Sequence, residues 1–185
     1  MITNHRFLKI GLSVAVFTLS TLALLASSPV AQRKKEMPSA SAVPLLTRTA
    51  TRLEKRRLGY GSTVTIVGAP QGSITVEGWP QSEVQITADL ELRAATEEDL
   101  NRLAAVNGWV LDEDANHLNI LSTGTHDKVF MRRAAKNFPK NLLGLPWRID
   151  YRIRVPSSVD LEINAGAGPI TLGGIEGAIT LTATE

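Results

Sequence analysis

Asp112-Glu113-Asp114-Ala115-Asn116 places side-chain oxygens at the first, third and fifth positions of the spacing used by calcium-binding loops. Such a loop needs glycine at its sixth position for a sharp turn and a bidentate glutamate at its twelfth. His117 and Thr123 stand there instead, so the segment is expected to be a solvated hairpin turn. The three histidines, His5, His117 and His126, lack the His-Glu-x-x-His spacing of a zinc site. Gly59-Tyr60-Gly61-Ser62 and Gly166-Ala167-Gly168 are rich in glycine. Neither leads from a strand into a helix N-terminus, which a phosphate cradle requires. There is no Gly-x-Ser-x-Gly elbow for a nucleophile. With no cysteine in 185 residues, disulfides, thiol catalysis, cysteine-ligated metals and an N-terminal lipidated cysteine are all excluded. The residues point to no catalytic group, metal or cofactor, and the chain is expected not to be an enzyme.

One segment carries a different signal. Between Gly124 and Pro146 lie Lys128, Arg132, Arg133, Lys136 and Lys140, with Asp127 as the sole carboxylate. Phe130, Met131, Phe138, Leu142, Leu143 and Leu145 are interspersed among them. This stretch is long for a loop without structure of its own. Its plain reading is a short helix or hairpin tip whose apolar residues cover the end of a sheet. Its functional reading is a contact surface for an anionic partner, such as a lipid surface, a polysaccharide or a protein. Phe130, Arg132, Arg133, Lys136 and Phe138 are the candidate contact residues.

The elements that would position such a surface follow from the patterning. Val84, Ile86, Ala88, Leu90 and Leu92 alternate with Gln85, Thr87, Asp89, Glu91 and Arg93, a period of two that predicts a half-buried strand. Trp147, Ile149, Tyr151, Ile153 and Val155 repeat the pattern up to Pro156, and Val159, Leu161 and Ile163 continue it. Shorter strands are expected at Val64–Ile66, Ile74–Val76 and Leu118–Ile120. One helix is expected from Thr96, an N-cap with Asp99 three residues on, through the stripe Leu100, Leu103 and Ala104. Asn107-Gly108 is expected to end it in a left-handed conformation.

Charge and hydropathy divide the chain. Met1 to Ala31 reads as a signal peptide or membrane anchor: Arg6 and Lys9 precede an uncharged run from Ile10 to Gln32, long enough to span a bilayer if it is not cleaved. The cluster Arg33-Lys34-Lys35 directly after it opposes export, because positive charge favours the cytoplasmic side. Residues 32–57 read as a basic linker holding Pro38, Pro44 and eight of the 20 Lys and Arg residues. Residues 58–185 hold ten Lys or Arg and 16 of the 18 carboxylates, so the domain is acidic although the whole chain carries +2. A nucleic-acid partner is therefore not expected.

A phrase recurs. Gly72-Ser73-Ile74-Thr75-Val76-Glu77-Gly78-Trp79 matches Gly168-Pro169-Ile170-Thr171-Leu172-Gly173-Gly174-Ile175, and Gly177-Ala178-Ile179-Thr180-Leu181 begins it again. Each copy is a glycine corner, a short strand with two apolar residues on one face, a second glycine and an apolar staple. Stacked copies would bury a core that no single copy could. The expected fold is mainly β: glycine-cornered repeats in a β-solenoid-like domain, or alternatively a sandwich-like one, with one short helix.

From Gly61 to Glu185 these features resemble the bacterial putative-adhesin family of β-strand-repeat domains of unknown function. The resemblance rests on the Gly-x-Ile-Thr-Val/Leu-x-Gly phrases, the Trp147-to-Pro156 strand, and the Thr96-to-Val106 helix before the hairpin Val110 to Leu121. It implies an exported, non-catalytic cell-envelope protein, an adhesin or interaction scaffold, and it supplies no catalytic residues. Two alternatives remain: a membrane-anchored structural or signalling envelope component, and a carbohydrate-active or hydrolytic enzyme on a β scaffold. The expected location is extracytoplasmic: periplasm, cell surface or inner-membrane anchorage. The family usually continues through further repeats, whereas this chain stops at Thr184-Glu185, mid-phrase. That implies either a truncated product or an edge closed by another chain.

Overall fold

A computed structural model of the chain describes residues 44–59 and 61–183. The expected signal or anchor, residues 1–31, and the cluster at 33–35 lie outside the described residues. Among those described, no helix is long and apolar enough to cross a membrane.

Ten strands form two five-stranded sheets. The strands are β1 (Leu46–Arg57), β2 (Thr63–Val67), β3 (Ile74–Trp79), β4 (Glu83–Ala94), β5 (Gly108–Glu113), β6 (His117–Thr123), β7 (Trp147–Pro156), β8 (Asp160–Ala165), β9 (Ile170–Gly173) and β10 (Ile179–Ala183). Helix α1 (Glu97–Ala104) lies between β4 and β5, and α2 (Lys128–Ala134) between β6 and β7. The first sheet runs β1-β4-β7-β3-β9 and the second β10-β8-β2-β6-β5. Both are mixed. β1/β4, β4/β7 and β5/β6 are antiparallel, while β7/β3/β9 and β10/β8/β2/β6 are parallel. The architecture is sandwich-like. The expected solenoid is not closed, because the antiparallel strands β1, β4 and β5 interrupt the winding.

Alternation builds the core. On β7, Trp147, Ile149, Tyr151, Ile153 and Val155 are buried while Arg148, Arg152 and Arg154 are exposed. Val84, Ile86, Ala88 and Leu92 of β4 and Leu161 and Ile163 of β8 complete the same cluster. The two sheets meet at Tyr151, whose hydroxyl lies 2.8 Å from Ser122 Oγ in a buried hydrogen bond. Its ring stands edge-on to Trp109, with centroids 6.3 Å apart.

The repeat is visible as adjacent strands. β9 lies beside β3 with Ile74 opposite Ile170, Thr75 opposite Thr171 and Val76 opposite Leu172. The third copy departs from this stack. β10 lies in the other sheet, beside β8, with Ile179 opposite Leu161 and Leu181 opposite Ile163. Glycine is required at the corners because neighbouring strands approach too closely for a side chain. Gly72 and Gly168 have φ of +137° and +149°, and a Cβ on Gly168 would sit 1.8 Å from the Gly72 carbonyl oxygen.

Three sequence expectations are corrected. Residues 46–57 of the expected linker form β1, paired along its whole length with β4 from Leu46–Ala94 to Arg57–Glu83. Its charges are strand side chains facing carboxylates, as in Lys55–Glu83 at 3.0 Å. Counted with β1, residues 44–183 hold 15 Lys or Arg against 16 carboxylates, so the domain is near neutral and not strongly acidic. The helix is capped as expected, with Thr96 Oγ1 accepting from the Asp99 amide at 3.1 Å. It ends at Ala104 with a right-handed Ala105 cap, and Gly108 opens β5. Buried Asn107 instead ties the helix end to the next loop: its Nδ2 donates to the Leu103 carbonyl, and its Oδ1 accepts from the Thr125 amide. Finally there are two α-helices, not one.

Gly168→Ala should lower unfolding stability by about 1–3 kcal/mol, since it combines a disfavoured φ with a backbone clash. Gly173→Ala, at a position with open space around it, should change little in the same denaturant titration. Burial pushes the Tyr151 phenol well above its ordinary range. The folded state therefore keeps a proton that the unfolded chain releases above about pH 10, and stability should fall as pH rises past that value. Tyr151→Phe should flatten that alkaline fall. At neutral pH it should cost about 0.5–1.5 kcal/mol for the lost hydrogen bond. Unfolding titrations between neutral and alkaline pH measure both effects.

Candidate interaction surface

The 124–146 excursion folds into α2 followed by a single 3-10 turn, Lys140–Leu142. Asp127 is the N-cap of α2: its Oδ1 accepts from the amides of Val129 and Phe130 at 2.8 and 2.9 Å. The Phe130 amide above all, with help from the Val129 amide and nearby His126 and Arg132, holds the Asp127 carboxyl below the usual carboxylate range. The segment is anchored by apolar side chains. Met131 and Leu142 are buried, and Phe138 and Leu145 pack half-buried against the core.

Both halves of the sequence reading thus fall on the same segment. Arg132, Arg133 and Lys136 are exposed, Phe130 is half-buried, and Phe138 is turned into the packing beneath. Lys128 and Lys140 are exposed as well. Sequence inspection missed the exposed apolar neighbours, Val129 and Leu143, which are 50% and 42% accessible. Their apolar type alone suggested burial. Only the short helix and the turn show which side chains point outward.

Electrostatically this segment differs from the rest. On the strands and α1, Arg48, Arg52, Lys55, Arg56, Arg93, Arg102, Arg148, Arg152 and Arg154 each lie within an ion pair. The five cations from Lys128 to Lys140 pair with no carboxylate among the described residues.

Beside α2 is an open depression of about 250 Å³, lined by Pro70, Gln71, Thr125, His126, Leu145 and Trp147 among others. His126 lies partly on the Trp147 ring, centroids 5.2 Å apart, and this cover holds its imidazole below its usual pKa, favouring the neutral form. Thr125 Oγ1 is buried there without a hydrogen-bond partner. The calcium-like segment is a hairpin turn between β5 and β6. Asp114 Oδ1 is engaged by the amides of Asn116 and His117 and by the His117 ring. No group of three His, Asp or Glu side chains suited to a metal occurs among the described residues.

No protein-family model matches the chain, and no curated protein matches it. Three solved structures are similar in part. One is described as a putative adhesin from Parabacteroides merdae, at 11% identity and TM-score 0.30, matched over 69% of this chain and 39% of that one. Another is a putative lipid binding protein from Parabacteroides distasonis, at 13% identity and TM-score 0.32, over 65% and 48%. The third is a putative cell adhesion protein from Clostridium sporogenes, at 10% identity and TM-score 0.33, over 71% and 59%. The chain spans less than two thirds of the length of each, and at these values the similarity carries no functional assignment.

Asp127→Ala removes the side chain that satisfies two orphan amides of α2. It should cost about 0.5–2 kcal/mol. The loss should show as faster amide hydrogen exchange across residues 129–134, with exchange in β4 and β7 unchanged.

Proposed function

We propose that the protein is a non-catalytic interaction scaffold of the bacterial cell envelope, adhesin-like in role, whose sandwich holds the α2 segment toward an anionic partner outside the cytoplasm. The observation that supports this reading is the contrast in charge pairing. Cations on the sheet surfaces are matched by carboxylates a few ångströms away, and such pairs largely cancel at a distance. The five cations between Lys128 and Lys140 are not matched, so their field extends into solvent over roughly a Debye length, about 8–10 Å at physiological salt.

The neighbouring apolar side chains favour one class of anionic partner. Val129 and Leu143 stand exposed beside the cations, and a surface joining cationic and apolar groups suits the headgroup region of an anionic bilayer. On this reading Arg132, Arg133 and Lys136 contact phosphate, Val129 and Leu143 enter the interface, and Phe130 supports them from below. If residues 10–31 remain uncleaved, they would hold this face near its own membrane. A polysaccharide or protein partner would use the cations and leave the apolar pair idle.

The test is binding of the full-length chain to vesicles of phosphatidylglycerol, to vesicles of phosphatidylcholine and to an acidic polysaccharide. Arg132→Glu with Arg133→Glu should reduce binding to the anionic surface at least tenfold while leaving the circular dichroism spectrum unchanged. Added salt should weaken the unaltered protein in the same assay. Unchanged binding by the doubly reversed variant would overturn the reading. Preference for the polysaccharide, with no effect of Val129→Ser, would replace lipid by a carbohydrate partner.

A further inference from the structure

The two ends of the sandwich are finished differently. At one end, β1 and β5 are the outermost strands of their sheets, and side chains tie them together. The Arg52 guanidinium lies 4.5 Å above the Trp109 ring and donates to the Trp109 carbonyl. Arg56 reaches Glu113 at 3.5 Å. The exposed backbone of β1 is surrounded by Arg48, Arg52, Lys55, Arg56 and Arg57, and β5 ends in Asp112-Glu113. Charges of this kind keep a free strand edge from pairing with another chain.

At the other end, β9 and β10 are the outermost strands, and neither carries a charge: Ile170-Thr171-Leu172-Gly173 and Ile179-Thr180-Leu181-Thr182-Ala183. Their apolar residues face inward. Ile179 and Leu181 lie in register with Leu161 and Ile163, which are 1% accessible, and Ile170 and Leu172 lie in register with buried Ile74 and Val76. Yet Ile179 and Leu181 are each 45% accessible, because no described strand covers them. The hydrophobic interior is open at this end between two unguarded strand edges.

We propose that this open end docks a second copy of the same chain about a two-fold axis, with β10 against β10 and β9 against β9 in antiparallel pairs. Charge selects this arrangement. Joining two β1/β5 ends would oppose one row of arginines and lysines to another. Joining a β1/β5 end to a β9/β10 end would bury those cations against neutral strands with no compensating carboxylate. The open ends bring no charge to the contact. Paired two-fold, they continue both sheets and close Ile170, Leu172, Ile179 and Leu181 into one shared interior. The contact is isologous, so it closes at two copies and leaves no free edge to grow a fibre. It is independent of the α2 surface, and either inference can fail without the other.

The absence of native cysteine makes a direct test available in the full-length chain. Single substitutions Thr180→Cys, Leu181→Cys and Thr182→Cys scan β10, with Thr49→Cys on β1 as control. Directly opposed residues of an antiparallel pair have Cα atoms about 4.5–5.5 Å apart, within disulfide range. Mild oxidation should give at least tenfold more disulfide-linked homodimer from one of the β10 positions than from Thr49→Cys. Adding Leu181→Lys to the Thr180→Cys or Thr182→Cys chain should abolish the link. Thr180→Lys, which points away from the core and spares the packing, should do the same in the Thr182→Cys chain. Equal linkage at β10 and β1 would overturn the proposal, as would a product whose mass is not twice that of the chain. So would linkage that survives Thr180→Lys.

Discussion

At each glycine corner a backbone carbonyl occupies the space where a side chain would begin. The Ile149 oxygen fills the Cβ position of Gly72, and the Gly72 oxygen fills that of Gly168. The Gly174 oxygen does the same at Gly78, and the Val159 oxygen at Gly177. These contacts let successive strands turn from one sheet to the other without spreading. Tight corners keep β3, β7 and β9 in one parallel register, and register decides which residues face inward, since a slip of one residue would reverse every side chain. The buried row from Ile74 and Val76 through Ile153 and Tyr151 therefore depends on a few positions that carry no side chain at all. The same corner sets the depth at which Tyr151 meets Ser122 and Trp109, and so how closely the two sheets approach.

Once the register is fixed, charge is sorted by location. Outward positions on β1, β4 and β7 place unlike charges across from one another, as with Arg152 and Asp89 at 2.6 Å or Arg154 and Glu77 at 3.2 Å. Exposed pairs of this sort contribute little stability singly, about 0–1 kcal/mol. Their larger consequence is to leave the sheet faces electrically quiet. The excursion between β6 and β7 follows a different rule. Met131 and Leu142 fasten it to the core while its cations stay unmatched, so the strongest positive field rises from a segment the hydrophobic core does not require to be cationic.

The legible part of this fold was the part in which local pattern and burial coincide. β4 and β7 alternate without error, and their partners in the core follow the same period. Thr96 and Asp99 announced the start of α1 because N-capping is a local hydrogen bond. β1 was illegible because its period is carried by threonine and arginine and not by apolar residues. An edge strand with exposed faces needs no hydrophobic row, so its charge looked like that of a linker. The repeat was legible as a phrase but not as a topology. Composition cannot say whether the next glycine corner continues the same sheet, as at β9, or crosses to the other, as at β10. The end of α1 was misplaced for a related reason: Asn107-Gly108 has the composition of a cap, yet the Asn107 side chain spans to Thr125, a tertiary contact invisible to neighbours in sequence. In the α2 segment the cations and aromatic residues were readable by type, whereas the inward turn of Phe138 and the outward turn of Val129 and Leu143 required the helix.

The corner glycines also explain why the two ends of the sandwich cannot be alike. Parallel strands joined by tight corners add one layer at a time, so each new rung presents the same uncharged, apolar-in pattern as the last, and its edge is by construction a template for another strand. Antiparallel strands need no corner glycine and are free to carry charge along an edge, which is what β1 and β5 do. A fold that grows by repeats therefore generates one reactive end automatically. The Arg52–Trp109 and Arg56–Glu113 contacts close the end where the winding has been abandoned. At the end where it has not, the same sequence rule that buries Leu161 and Ile163 leaves Ile179 and Leu181 to be covered by whatever strand comes next.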